Sequence, residues 1–361
     1  MNSLNAVGET YLPNINPPKR LNFIDFGKGF AILGIVVFHY SQSFVSGVWE
    51  QAIQLGGAGV HLFIIFSGFT LFLASRRLNI VGFYKRRFTK IIIPYYLFVC
   101  LVFLIKQVYP IYPEDGLYAF FGHIFWYKMF DESIITSLGY HLWFMSLIIQ
   151  LYLVYPFLAQ LMRRLRPAKF ALLAVAVSFC FWTVTAYLGL SELRVFQNSC
   201  LSHLWEFALG MAVADAYKKN GNLFSWVNVR YMLVLSVIGI GLKGFMAMQG
   251  DPVWNAFNDV PTVIGFGALT VLAYGLCDRW KWVKRGVEFV GKISFELYLV
   301  HILVWKLIKG LFLVVSSGEP TWIFKMTFVL PVAVVVAIGF KQLHVAVGQR
   351  VRKAVPKVSY L

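Results

Sequence analysis

Charge is scarce in this 361-residue chain. Only 14% of its residues are Asp, Glu, Lys or Arg, against roughly 25% in soluble domains. Cysteine is sparse as well: Cys100, Cys180, Cys200 and Cys277 lie in or beside apolar runs, and none forms a C-x-x-C pair. That excludes a disulfide framework and a cysteine zinc motif, so no metal is expected. Residues 1–21 lack the short apolar core and small-residue cleavage site of a signal peptide, so the first apolar run is expected to remain as a helix. Neither an internal repeat nor a low-complexity stretch is visible. What the chain does have is apolar surface, with 59% hydrophobic residues and a mean hydropathy of +0.68. These figures describe an integral membrane protein. The expected fold is all-α, a polytopic membrane helix bundle with a cytoplasmic leader (1–21), a transmembrane domain (22–340) and a basic tail (341–361).

Ten candidate spans of about 17–22 residues, the length a bilayer demands, cover 23–43, 58–75, 91–109, 141–161, 170–190, 200–217, 231–249, 261–277, 292–313 and 322–340. Basic residues fall in alternate loops: Lys19 and Arg20; Arg76, Arg77, Lys85, Arg86, Arg87 and Lys90; Arg163, Arg164, Arg166 and Lys169; Lys218, Lys219 and Arg230; Arg279, Lys281, Lys284, Arg285 and Lys292; Lys341, Arg350, Arg352, Lys353 and Lys357. The other loops hold only Lys106, Lys128 and Arg194. The positive-inside rule then puts both termini and the basic loops in the cytoplasm. It also accounts for the net charge of +17 as topogenic, which argues against a nucleic-acid partner.

The chain is organised around D-F-G-K-G-F-A-I-L-G-I-V-V-F-H-Y, residues 25–40. His39 follows Lys28 by eleven positions, about 20° beyond three full helical turns. The two side chains therefore share a face, about 16 Å apart along the axis. Asp25 is three residues before Lys28 and can pair with it. An interfacial anchor with a snorkelling lysine, and a histidine hydrogen-bonded between helices, would explain each residue singly. All three on one face favour function, because ionisable groups inside a membrane mark functional sites.

Other polar groups punctuate the apolar runs. The second span opens G-G-A-G-V-H-L-F-I-I-F-S-G-F, with His61 at its outer end and Ser67 deeper; Gly56, Gly57 and Gly59 permit close helix approach, and Ser67-Gly68 reads first as a packing notch. F-Y-K-R-R-F-T-K, residues 83–90, is either a topogenic anchor on anionic lipid or a cradle for a phosphorylated ligand. H-L-W-F-M-S-L places His141 and Trp143 at the outer interface. Glu206 sits inside an apolar stretch, where a carboxylate needs a partner or a proton. In G-K-I-S-F-E-L-Y-L-V-H, Ser294, Tyr298 and His301 share a face and Glu296 points elsewhere. The long outer segment 109–140 combines aromatics with Glu114, Asp115, Asp131 and Glu132; it suits a sugar ligand, and an interfacial aromatic belt explains the same residues.

Together these stretches resemble the acyltransferase-3 family of multispanning membrane acyltransferases, from about Leu21 to about Lys309. The most specific element is a basic residue, ten residues, then histidine: here Lys28 and His39, where arginine is commoner first. Asp25 matches the aspartate just ahead. G-V-H-L-F-I-I-F-S-G-F, R-R-F-T-K-I-I-I-P, H-L-W-F-M-S-L, W-E-F-A-L-G-M and I-S-F-E-L-Y-L-V-H look like further family motifs, with His61 where aspartate is common. The last helix departs, lacking the usual E-x-P. The resemblance implies acyl transfer, by the family's habit acetyl, from cytosolic acyl-CoA to a hydroxyl of an extracytoplasmic or lipid-linked glycan or glycolipid. It implies a bacterial cytoplasmic membrane setting, within the bilayer and alongside polysaccharide biosynthesis or export machinery. His39, with Lys28 and Asp25, would carry the chemistry. Arg86, Arg87 and Lys90 would hold coenzyme A phosphates. His61, Ser67, His141, Trp143, Glu206, Ser294, Tyr298 and His301 are supporting polar candidates. The alternative is a secondary transporter or glycan flippase with a proton relay; such a protein should show Gly/Pro-broken segments in two matching halves, which are not seen.

Overall fold

The structure, a computed structural model, describes residues 21–74, 79–221, 228–249, 254, 257–316 and 318–354. Lys19, Arg20, Arg76, Arg77 and Lys357 lie outside these, as do the side chains of Arg352 and Lys353, and nearly all of the leader. The described residues are helical and contain no strand. Nine helical segments among them are long and apolar enough to cross a membrane, so the expected all-α polytopic bundle stands. The sixth expected span is the helix Leu204–Asn220, at 17 residues shorter than the other nine.

In chain order the helices are α1 (Asn22–Ser41), α2 (Val48–Gly57), α3 (Gly59–Ala74), α4 (Ile80–Val108), α5 (Leu117–Ile124), α6 (Trp143–Arg164), α7 (Pro167–Tyr187), α8 (Arg194–Gln197), α9 (Leu204–Asn220), α10 (Val229–Gln249), α11 (Asp259–Leu276), α12 (Lys281–Lys292), α13 (Ser294–Val315) and α14 (Leu330–Ala354). A short turn, Trp322–Phe324, and a π-helical turn, Lys325–Val329, lead into α14. Two boundaries differ from expectation and both matter for the site. The helix expected from residue 91 starts at Ile80, where the Asn79 side chain accepts from the Gly82 amide at 2.8 Å. The basic run 85–90 is therefore nearly two turns of helix, with Arg86 and Arg87 about 100° apart and Lys90 between them in angle. The last helix runs on to Ala354, which brings Lys341 and His344 into the bundle.

Lipid tails are as apolar as leucine, so close helix contact needs small residues. Gly68 on α3 meets the Phe207 carbonyl of α9, and Gly210 on α9 meets the Ile65 carbonyl and Phe69 amide of α3. Gly29 of α1 and Gly291 of α12 cross in the same way, against Val287 and Asp25 backbone. The notch at Gly68 is thus a packing device, as are Gly56 against Gly34 and Gly59 against Ala31. Basic side chains tie helix ends together at one end of the bundle: Lys218 Nζ donates to the Phe72 carbonyl (2.7 Å) and Lys341 Nζ to the Lys292 carbonyl (2.5 Å).

The segment between α4 and α6 is folded onto the other end. Trp126 stacks on Tyr95, centroids 4.8 Å apart, and donates to the Tyr96 hydroxyl at 2.8 Å. Three of its carboxylates accept backbone or side-chain hydrogen bonds, two within the segment and one from α8. Asp115 accepts from the Leu138 amide, Asp131 from Ser133 and Tyr118, and Glu132 from the Arg194 and Val195 amides.

Candidate active site

The polar residues singled out in the sequence gather into three groups. The first lines a cavity of about 680 Å³ among α1, α3, α4, α6, α13 and α14 at the basic end. Asp25, Lys28, Ser67, Arg87, Lys90, Ser294 and Tyr298 all face it. Arg86 does not line it and is exposed. Lys292, Lys341 and His344 add further basic groups that the sequence did not nominate, and His344 Nε2 lies 2.9 Å from the Glu296 carboxylate. Cavities of this size, roughly 300–1,000 Å³, hold cofactor-sized ligands.

At its deep end the cavity meets aromatic rings. Phe63 and Phe144 have centroids 6.1 Å apart, and Phe144 and Tyr298 are 5.6 Å apart. The second group begins one turn further along α13. His39 Nδ1 and His301 Nε2 are 2.8 Å apart, with the two rings nearly parallel (5°). His301 Nδ1 lies 3.0 and 2.8 Å from the carbonyls of Leu297 and Tyr298. A carbonyl only accepts, so the His301 proton is on Nδ1 and its Nε2 accepts. His39 must then donate from Nδ1, which leaves the His39 lone pair on Nε2. His141 packs edge-on against His301 at 5.1 Å, and its Nε2 donates to the Leu299 carbonyl at 3.2 Å. The Tyr298 hydroxyl donates to the His141 carbonyl, and the Tyr40 hydroxyl to the His301 carbonyl at 2.9 Å. Tyr140, from the segment folded over the non-basic end, stands edge-on to His39 at 5.1 Å. Lys28 thus lines the basic cavity, whereas His39 lies outside its lining, beside His301.

The third group lies apart from this line. His61 and Glu206, joined by His203 and Asp259, form a polar cluster at the starts of α3, α9 and α11. Trp143 stacks near His203, centroids 6.5 Å apart. His203 and Asp259 were missed because neither is flagged by a local motif; only the meeting of three helices reveals them. The segment folded over the non-basic end buries another polar set. Lys128 Nζ is 3.5 Å from His123 Nε2, and Tyr95 Oη is 2.6 Å from His123 Nδ1. Burial pushes the Lys128 amine down to about 7, with the nearby Asp115 charge opposing.

An all-α, multi-pass membrane protein with a basic cavity at one end and an oriented histidine pair behind it is the class defined so far. The family described as Acyltransferase domain matches residues 21–341. The chain belongs to this acyltransferase family. Among curated proteins it is similar to O-acetyltransferase OatA of Staphylococcus aureus (strain NCTC 8325 / PS 47), 22% identical over 382 residues. That match takes in 95% of this chain and 60% of OatA, so the chain spans less than two thirds of that relative's length. It is also similar to the putative acetyltransferase ORF330 of Acidianus two-tailed virus, 24% identical over 305 residues, 78% of this chain and 82% of that protein. No solved structure matches.

Proposed function

We propose that this protein is an O-acetyltransferase that moves an acetyl group from cytosolic acetyl-CoA to a hydroxyl of an extracytoplasmic or lipid-linked glycan, in a bacterial cytoplasmic membrane. The observation that carries the reading is Tyr298, which lines the basic cavity while its ring lies 6.4 Å from that of His301, the partner of His39. The basic loops and both termini face the cytosol, so the cavity opens to the donor. Lys28, Arg87 and Lys90 meet the phosphates of coenzyme A, arginine bidentately. The thioester passes Tyr298 and Phe144 to reach His39. Asp25 steadies Lys28 from the preceding turn.

His39 Nε2 carries the lone pair that the chemistry needs. In one route it takes the proton of the acceptor hydroxyl as the oxygen attacks the thioester carbonyl. The C–S bond breaks, and the proton ends on the coenzyme A thiolate. In the other, Nε2 itself takes the acetyl group as the thiolate leaves; the acceptor oxygen then attacks that acetyl carbonyl, the N–C bond breaks, and the hydroxyl proton ends on the thiolate. Both routes convert acetyl-CoA and an alcohol into an ester and free coenzyme A. No metal takes part in the transfer. Glycan export machinery would supply acceptor from the side on which Tyr140 meets His39.

Mass spectrometry of surface glycans from cells with and without the gene, and with His39→Ala, tests the reading. Loss of acetyl from the glycan in both the deletion and the variant is expected. Glycans unchanged in mass but reduced in amount would favour a transporter instead.

A further inference from the structure

The cluster at the starts of α3, α9 and α11 takes no part in the path through His39. His61 Nδ1 and His203 Nδ1 each lie 3.0 Å from the same oxygen, Glu206 Oε1. His61 Nε2 is 3.5 Å from Asp259 Oδ1. One potential ligand atom from each of the four residues falls within 4.8 Å of all the others. The side chain of Glu206 is fully buried, and its second oxygen, Oε2, is buried with no hydrogen-bond partner. A carboxylate oxygen left so costs about 1–3 kcal/mol or more, which calls for something to fill the site. Lys243, on α10, is the other charge that faces the cluster, acting on Asp259 and His61.

We propose that His61, His203, Glu206 and Asp259 form a divalent-cation site, suited best to zinc, that ties together the starts of α3, α9 and α11. Two imidazole nitrogens and two carboxylate oxygens are a zinc donor set, and four protein ligands make a closed, structural centre. Bonds of about 2.0–2.2 Å in a tetrahedron place ligand atoms roughly 3.3–3.6 Å apart. One ligand atom from each of the four residues already lies within 4.8 Å of the rest, so small side-chain shifts close such a shell. A cation bound between the carboxylates would occupy Glu206 Oε2 and replace Lys243 as the counter-charge of Asp259. The cysteine spacings are silent on such a centre, which uses no cysteine and joins three separate helices.

The test is metal content of the full chain, purified in mild detergent with its affinity tag removed. One zinc per chain by mass spectrometry is expected, with cobalt substitution giving the visible bands of a tetrahedral centre. Chelation should lower the Tm of the wild type and zinc should restore it. Glu206→Gln and His203→Ala should lose the metal and the zinc-dependent Tm shift. Should either fail to fold, Asp259→Asn serves, since Asp259 is 30% exposed and the rim tolerates change. His39→Ala should keep the full metal content, which separates this site from the transfer chemistry. A folded, monodisperse wild type that takes up no stoichiometric zinc or cobalt overturns the proposal, as does uptake that survives both Glu206→Gln and Asp259→Asn.

Discussion

Replacing His301 by phenylalanine tests the histidine pair at its centre. In the native protein the two carbonyls of Leu297 and Tyr298 hold the His301 proton on Nδ1, which obliges His39 to donate from its own Nδ1. Phenylalanine keeps a ring in the space and removes the acceptor. The His39 Nδ1–H then loses its partner, and nothing disfavours the tautomer whose proton sits on Nε2, the atom the chemistry needs bare. A lost buried hydrogen bond is worth about 1–3 kcal/mol. At about 1.36 kcal/mol per tenfold in rate, kcat should fall roughly 5- to 150-fold. His301 does not line the donor cavity, so KM for acetyl-CoA should hold. His301→Gln restores an acceptor and should recover part of the loss. His39→Ala should cost more, on the order of 10²–10⁴-fold. The assay is thiol release from acetyl-CoA by protein that elutes like the wild type. Wild-type kcat in folded His301→Phe would refute the tautomer argument, and a raised KM with unchanged kcat would move His301 into donor binding.

Arg87→Ala combined with Lys90→Ala should raise KM for acetyl-CoA about tenfold or more, since a hydrogen bond to a charged group is worth about 1.5–3 kcal/mol. Arg86→Ala, outside the cavity, should leave KM unchanged; steady-state kinetics on both variants decides. Phe144→Ala opens the aromatic layer and should raise acetyl-CoA hydrolysis without acceptor, read as acetate released per coenzyme A. Lys128 has a native pKa near 7 and about 10.4 when unfolded. The unfolded chain therefore binds the extra proton between those values, and stability of the segment around Lys128 rises with pH across that window. From pH 7 to 9 the gain is about 2 kcal/mol, visible as higher hydrogen-exchange protection in 109–139; Lys128→Met should flatten the trend. Gly210→Val sets a Cβ against the Ile65 carbonyl and Phe69 amide. Rigid backbone cannot yield, so the roughly 1–3 kcal/mol of overpacking should cut the folded yield in fluorescence-detected chromatography.

Most of the bundle was legible because a bilayer forces apolar runs of fixed length. The departures come where charge and helix coexist. Lys85 to Lys90 read as a loop because a run of charge usually marks solvent, yet nothing in 80–90 breaks a helix and Asn79 caps one. The same bias ended the last span at 340, although Lys341 and His344 continue on the helix and reach the cavity. Long basic side chains let a helix begin outside the hydrocarbon layer and keep their heads in a polar cavity. The cost of taking charge as a boundary was the loss of two cavity residues.

The site divides along the same physical line. Helical spacing alone puts Lys28 with His39, and Ser294 and Tyr298 with His301, on shared faces; the structure brings Lys28, Ser294 and Tyr298 to one cavity and pairs His39 with His301. Spacing within one helix says nothing about which helix lies opposite. That His39 meets His301, 262 residues away, rests on α1 and α13 packing side by side. That Glu206 meets His61 rests on Gly68 and Gly210, which let α3 and α9 touch backbone to backbone. The small residues that looked least chemical therefore decide which polar groups meet. A bulky residue at Gly210 should then disturb the His61–Glu206 contact as well as the packing, while leaving the His39–His301 pair, held on other helices, in place.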